Sequence, residues 1–294
     1  MRWESGRRSD NVEDRRGMGG GRMLLGGGMG VGGLILVVVM MLAGIDPRAI
    51  LQPGPGGGGP GPNGPGPQQH RANRVNPDQE KIVDFTKVVL ASTEDVWRQQ
   101  FQRINRSYHE PKLVLFSGQT ESGCGHASAA IGPFYCPRDN DVYLDLEFFQ
   151  ELRTRFQAPG DTAQAYVIAH EVGHHVQNEL GISDRMEQSR QRASKREANE
   201  LSVRLELQAD YLAGVWAHYA AQVNPSLFEP GDIEEAIRGA GAVGDDRLQM
   251  QAQGYVVPDA FTHGSSSQRI RWFRKGYETG DLKLLNHFFT SDDL

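Results

Sequence analysis

Hydrophobic and polar positions divide the chain into an uncharged run, a stretch rich in glycine and proline, and a long region of helical periodicity. No charged residue occurs between Met23 and Ile45, and this run is long enough to cross a hydrocarbon core about 30 Å thick as a helix. Several glycines weaken the first half of that pattern. Residues 46–76 are dominated by Gly and Pro, which cannot bury apolar surface, so this stretch is predicted to be a tether.

The polar flank before the uncharged run predicts its orientation. Residues 1–22 are rich in arginine, and arginines beside a span favour retention of that flank in the cytoplasm. We therefore predict a cytoplasmic segment 1–22, a single-pass anchor 23–45 in the cell's inner membrane, a linker 46–76, and a domain 77–294 in the periplasm or outside the cell. A cleaved signal peptide is the alternative, although the polar flank is long and the exit from the run offers no clean cleavage site.

From Pro77 onwards the periodicity becomes that of a globular domain. Apolar residues recur at helical spacing in five segments, and two short segments read as strands. The predicted helices are 78–107, 161–180, 190–222, 230–241 and 265–279, and the predicted strands are Leu113–Phe116 and Val142–Leu146. The pattern predicts a mostly helical α+β domain with a small sheet. Val142–Leu146 is either an edge strand that an extended peptide could join or an interior strand; the sequence leaves both open.

One predicted helix carries the candidate chemistry. Asp161 and Gln164 have the spacing of a capping box, and Gly181 is placed to end the helix. His170 and His174 are four residues apart, so their imidazoles lie on one face and can reach one Zn²⁺. Glu171 stands beside them as a candidate general base, which completes the HExxH pattern of zinc peptidases. The alternative interpretation is a pair of surface histidines that bind nothing.

A catalytic zinc needs a third protein ligand and an open position. A ligand six residues beyond His174 is excluded because position 180 is leucine. Glu206 and Asp210 share a face of the next long helix, in an apolar setting where carboxylates need a cation or hydrogen-bond donors. We predict Glu206 as the ligand and Asp210 as the acceptor that orients a ligating histidine, with Glu200 or Asp210 as fallback ligands.

These motifs resemble those of the gluzincin metallopeptidases and, more closely, the bacterial family known as "putative neutral zinc metallopeptidase". The resemblance extends over nearly the whole chain and is carried by four further segments: Met1–Trp3, Ser9–Arg16, Glu206–Trp216 and His263–Ser266. It implies a zincin-like peptidase domain that follows a single N-terminal span. It does not supply a substrate.

Three further residues complete the candidate set. Cys124 and Cys136 are predicted to form a disulfide if the domain lies in an oxidising compartment, with two buried thiols as the alternative. His263, in a Gly/Ser-rich run, is a candidate for stabilising an oxyanion, or else a solvent-facing loop residue.

Together these residues predict a zinc metalloendopeptidase with one Zn²⁺ per chain and a peptide or protein substrate, attached to the lipid bilayer through residues 23–45. The net charge of −6 gives no reason to expect nucleic acid as a partner. The competing hypothesis is a membrane-tethered, non-catalytic binding module whose zinc site is structural or vestigial.

Overall fold

The computed structural model describes residues 1–17 and 77–290, which form a helical domain with a four-stranded sheet and a separate hairpin. The strands are β1 (Val12–Asp14), β2 (Leu113–Phe116), β3 (Gln119–Ser122), β4 (Gly125–Ser128), β5 (Phe134–Cys136) and β6 (Asp141–Asp145). The helices of the first half are α1 (Pro77–Arg103), α2 (Glu147–Thr154), α3 (Asp161–Glu179) and α4 (Ile182–Arg190). Those of the second half are α5 (Lys195–Val223), α6 (Asp232–Ala242), α7 (Asp245–Gln253), α8 (Ser266–Thr279) and α9 (His287–Thr290). The predicted α+β class is confirmed.

The predicted anchor 23–45 and linker 46–76 lie outside the described residues, and they stay predictions. Within residues 1–17 and 77–290, no helix combines the length and the apolar character that a membrane span requires.

The sheet has the order β1-β2-β6-β5, and this order decides the role of β6, the last strand before the helix that carries His170 and His174. β6 is parallel to β2 on one side and antiparallel to β5 on the other. All of its residues except Asp141 are buried. Because β5 pairs with residues 141–143 on one side and β2 pairs with residues 142–145 on the other, β6 is an interior strand of the sheet. Of the two interpretations of Val142–Leu146, the interior strand is the one found, and the edge strand is wrong.

The first residues of the chain belong to the domain itself. β1 pairs in parallel with β2 through Val12, Glu13 and Asp14. Trp3 is 4% exposed and packs edge-on against Phe85 of α1, with ring centroids 5.5 Å apart. The folded domain therefore includes residues 1–17, which corrects the predicted start at residue 77. The sequence concealed this because the segment is short and mostly polar, so no periodicity marks it as an element.

A buried carboxylate on α1 fixes the N-terminal segment in place. Glu94 is 1% exposed and accepts hydrogen bonds from Arg7 Nη2 (2.6 Å), Asn11 Nδ2 (2.8 Å) and the Ser9 hydroxyl. About three turns earlier on α1, Arg8 binds both oxygens of Asp84 at 2.9 and 2.6 Å. Since a buried charge must be paired, removal of the segment would leave Glu94 in an apolar setting without these donors.

Helix α3, which carries His170 and His174, starts differently from the predicted capping box. The residue before Asp161 is Gly160, at φ 119°, and no side chain of this turn caps the helix. Glu235 of α6 takes that role instead, because its Oε1 accepts from the backbone N–H groups of Thr162 (2.7 Å) and Ala163 (3.2 Å). The predicted end of the helix is confirmed, since Leu180 is its C-cap and Gly181, the next residue, adopts a left-handed conformation. The predicted helix 190–222 begins later, at Lys195, after a capping box formed by Ser194 and Glu197.

Candidate metal centre

The metal centre is built where α3 and α5 pack closely. Gly173, between the two histidines, faces the backbone of α5, and a Cβ added there would lie 3.0 Å from the carbonyl oxygen of Ala209. A side chain at this position would push the helices apart, so glycine sets their separation. The close approach brings the acidic face of α5 to the imidazoles of α3.

His170, His174 and Glu206 meet at this contact, as the sequence predicts. Glu206 Oε2 lies 3.2 Å from His170 Nε2, and Glu206 Oε1 lies 3.4 Å from His174 Nε2. One nitrogen or oxygen from each of the three residues falls within 4.8 Å of the others. The His170 side chain is 8% exposed, whereas those of His174 and Glu206 are both 19% exposed. The cluster therefore opens to solvent on the side of His174 and Glu206.

The other nitrogen of each imidazole is held by a buried side chain. Asp210 Oδ1 accepts from His170 Nδ1 at 2.9 Å, the contact predicted for this residue. Gln177 Oε1 lies 2.9 Å from His174 Nδ1, and its amide nitrogen donates to Leu205 O and Gln208 Oε1, which fixes the oxygen toward the histidine. With both Nδ1 atoms donating, both Nε2 lone pairs point at Glu206.

Asp210 is itself held by two partners from other helices. Arg269 of α8 donates from Nε to Oδ2 at 2.8 Å and from Nη2 to Oδ1 at 3.0 Å. The hydroxyl of Tyr166, one turn before His170, also donates to Oδ1. Burial alone would raise the pKa of Asp210, but Arg269 and His170 outweigh burial and lower the pKa, so the carboxylate form persists.

Charges around the cluster favour a cation at its centre. Burial would raise the pKa of Glu206, but His174, His263 and His170 outweigh it and hold that pKa well below its usual range. For His170, burial lowers the pKa, and Asp210 and Glu206 together raise it to about 9. In the metal-free protein His170 therefore carries an extra proton near neutral pH. Its positive charge offsets the negative charge of Glu206 and removes the repulsion between an imidazole lone pair and the carboxylate.

Glu171 and His263 are the other two residues predicted to act in the site. Glu171 directly follows His170 on α3 and is 8% exposed. His263 lies on the loop before α8, with Nδ1 at 3.0 Å from Asp245 Oδ1. Backbone N–H groups of Thr262, His263 and Gly264 all donate to the other oxygen of Asp245, which fixes the loop. The fallback ligand Glu200 is not part of the cluster; its side chain is 56% exposed and pairs with Arg196.

The two cysteines form the predicted disulfide. Cys124 and Cys136 are bonded, with their Cα atoms 5.8 Å apart. The bond joins the turn between β3 and β4 to the edge strand β5.

Comparisons with known proteins identify the family. The sequence model of a family described as "Putative neutral zinc metallopeptidase" matches residues 1–288. The chain belongs to this family. It is 48% identical to the uncharacterized protein YpfJ of Escherichia coli (strain K12), over 98% of this chain and 99% of that protein. It is 43% identical to the uncharacterized protein Rv2575 of Mycobacterium tuberculosis (strain ATCC 25618 / H37Rv), over 86% of each chain. No solved structure matches the chain.

The residues present fit the zinc that the family name implies. Two imidazole nitrogens and one carboxylate oxygen make up the donor set of many catalytic zinc sites. In addition, each imidazole has a partner on its far nitrogen, which is the usual arrangement around metal-ligating histidines. A bound Zn²⁺ would take the place of the proton on His170 and would separate the two Nε2 lone pairs from the Glu206 carboxylate.

Sequence reasoning missed four residues of this site: Tyr166, Gln177, Asp245 and Arg269. Tyr166 lies four residues before His170, so helical spacing alone placed it on the same face. Gln177 was recognisable in the same way, at three residues after His174. Asp245 and Arg269 carried no local signal, because only the packing of α7 and α8 brings them to α3 and α5.

Proposed function

We propose that this chain is a zinc-dependent endopeptidase with one Zn²⁺ bound by His170, His174 and Glu206. The observation that carries the proposal is the convergence of two imidazole nitrogens and a carboxylate at a place that opens to solvent. Glu171 directly follows His170 on the same helix. A site that only stabilised the fold would have no use for a carboxylate base at that position.

Glu171 is the general base of the proposed reaction. When bound, zinc supplies Lewis acidity, which makes a water acidic and polarises the substrate carbonyl. The Glu171 carboxylate accepts a proton as the water attacks the carbonyl carbon and passes that proton to the amine nitrogen as the C–N bond breaks. His170 and His174 keep their Nδ1 protons on Asp210 and Gln177 throughout, so neither imidazole competes for the proton.

His263 is proposed to donate a hydrogen bond to the oxyanion that forms during attack. Burial lowers its pKa, but the negative charge of Glu206 and the hydrogen bond to Asp245 outweigh burial and raise it. Because Nδ1 is bound to Asp245, Nε2 is the nitrogen left to donate. Loss of one oxyanion donor typically costs about 100- to 1,000-fold in turnover.

The test uses purified full-length chain with casein and with peptides blocked at both termini. We expect cleavage of both, its loss on treatment with a chelator, and its return with Zn²⁺. Glu171→Gln should lower turnover by at least about 100-fold while zinc content stays at the wild-type level, because the substitution removes the base and no ligand. Cleavage of only unblocked peptides would contradict endopeptidase activity. Zinc binding without any cleavage would favour the binding module instead.

We also propose that the domain works outside the cytoplasm, attached to the bilayer through residues 23–45. The Cys124–Cys136 bond supports an oxidising compartment. The contacts of β1 and Glu94 support one revision of the predicted topology: we propose that residues 1–17 lie on the same side of the membrane as the domain, so that residues 23–45 attach to the bilayer without a single crossing. Ser5→Cys and Gln150→Cys, both at exposed positions, should therefore react equally with an impermeant maleimide on intact cells. Protection of Ser5→Cys alone would contradict this arrangement.

A further inference from the structure

Arg269 occupies a place next to the metal cluster that the proposed reaction does not use. It is 4% exposed and lies at the contact of α8 with α3 and α5. Besides its two bonds to Asp210, it donates from Nη2 to the Tyr166 hydroxyl at 3.1 Å and from Nη1 to the carbonyl of Val243 at 3.2 Å. Every one of these contacts fixes the plane of the guanidinium group.

The backbones of α5 and α8 are held unusually close, which fixes the position of Arg269. A Cβ on Gly214 would lie 2.1 Å from the carbonyl oxygen of Phe273, and one on Gly276 would lie 2.1 Å from that of Tyr211. Neither contact leaves room for a side chain, so both glycines are required for this crossing. Asp210 precedes Gly214 by one turn, and Arg269 precedes Gly276 by two turns. The crossing thus delivers the guanidinium to the carboxylate.

We propose that Arg269 is a positioning residue for the metal: it clamps the Asp210 carboxylate in the orientation that aims His170 Nε2 at the zinc. The inference rests on the proposed zinc site. Arg269 does not ligate the metal, and its charge alone would repel a cation, since Nη2 lies 4.0 Å from Glu206 Oε2 and 3.4 Å from His170 Nε2. Its benefit to zinc binding therefore comes through Asp210. Without Arg269, the Asp210 carboxylate could rotate about its side-chain bonds and would no longer hold the His170 imidazole in the orientation that zinc binding needs.

This route makes a specific claim about coupling. If Arg269 acts through Asp210, its removal should weaken zinc binding in the wild-type chain and have little effect once Asp210 has lost its carboxylate. A purely structural role would weaken zinc binding by the same factor in both backgrounds, because independent effects add in free energy.

The experiment measures the zinc dissociation constant of the chelator-stripped, full-length chain by competition with a chromophoric chelator. Arg269→Gln should raise that constant by about 10- to 100-fold, the usual cost of losing an outer partner of a metal ligand. In an Asp210→Asn background the same change should alter the constant by less than about threefold, since most of the coupling is already lost. Arg274→Gln, at an exposed position of the same helix, is the matched control and should leave zinc binding unchanged.

Arg269→Lys is a second variant that keeps the test interpretable if Arg269→Gln misfolds. Lysine keeps the charge but replaces the planar fork with a single point charge, so an intermediate loss of zinc affinity is expected. Should Arg269→Gln lose its helical circular dichroism, the Lys variant carries the same comparison in both backgrounds. Wild-type zinc affinity in Arg269→Gln, or equal losses in the two backgrounds, would overturn the inference alone. A wild-type chain without zinc affinity would instead remove the proposed function.

Discussion

Glu94 and Glu206 are both carboxylates on long helices, yet their surroundings differ in one chemical respect. Glu94 is 1% exposed and is surrounded by permanent donors: a guanidinium, an amide and a hydroxyl. The side chain of Glu206 is 19% exposed and faces the Nε2 atoms of two imidazoles. The Nδ1 atoms of these imidazoles already donate to Asp210 and Gln177. The first cluster is complete as the chain folds. The second needs a cation that the chain does not supply as a fixed charge.

The difference separates a structural carboxylate from a functional one. Arg7, Ser9 and Asn11 all come from the N-terminal segment, so Glu94 joins residues 1–17 to α1. Among the described residues, the nearest permanent cation to Glu206 is Arg269, at 4.0 Å, and its guanidinium group binds Asp210. Arg269 thus binds Asp210, the partner of His170, and does not neutralise Glu206 directly. The centre of the cluster is left for a metal.

Glu206→Gln tests the functional carboxylate and should have the largest effect of the predicted changes, on the zinc dissociation constant. The amide removes a charged ligand, so the zinc dissociation constant should rise by more than the roughly 100-fold that loss of an outer partner can cost. A competitive zinc titration measures this constant. Glu94→Gln is the matched control in the zinc titration, and an equal loss of zinc affinity in both variants would contradict the distinction.

Glu94→Gln tests the structural side. The free energy of unfolding should fall by about 1.5–3 kcal/mol, because hydrogen bonds to a charged group are lost at a buried position. Zinc affinity of the folded fraction should stay at the wild-type value. Urea unfolding of the metal-free chain provides the measurement, with Glu278→Gln, at an exposed position, as the control. Unchanged stability would mean that the N-terminal segment contributes little to the fold.

The pH dependence of stability sharpens the comparison and should be the smallest effect. Burial and the charge of Arg269 lower the pKa of His263, but the charge of Glu206 and the hydrogen bond to Asp245 outweigh them and raise it. The interactions with Glu206 and Asp245 therefore stabilise the folded state fully below pH 6.5. That contribution is lost as the pH rises from 6.5 through the raised pKa. With chelator present, the melting temperature of the wild type should therefore fall more steeply above pH 6.5 than that of His263→Gln. Parallel curves would contradict the pairing.

Local patterns predicted the parts of the site that lie on one element. The spacing of His170, Glu171 and His174 required only that α3 be a helix, and Gly181 marked its end. Glu206 and Asp210 followed from a second local rule, that acids in an apolar helix face need a partner. Both predictions depended on contacts within a few residues, which the sequence displays directly.

The parts that the sequence could not predict arise from packing between distant elements. The N-terminal segment joins the sheet through β1, although 59 residues outside the described part separate residue 17 from residue 77. Glu235 caps α3 from α6, and Arg269 reaches Asp210 because two glycines let α5 and α8 cross closely. Whether Val142–Leu146 is an edge or an interior strand likewise depended on β5, a three-residue strand too short to show a period.

Zinc-edge anomalous diffraction from crystals of the zinc-loaded chain would test the central claim most directly. We expect one anomalous peak per chain, about 2.0–2.2 Å from His170 Nε2, His174 Nε2 and one oxygen of Glu206, with solvent completing the coordination. A peak elsewhere, or one at this place whose fourth ligand is a protein side chain, would contradict the account.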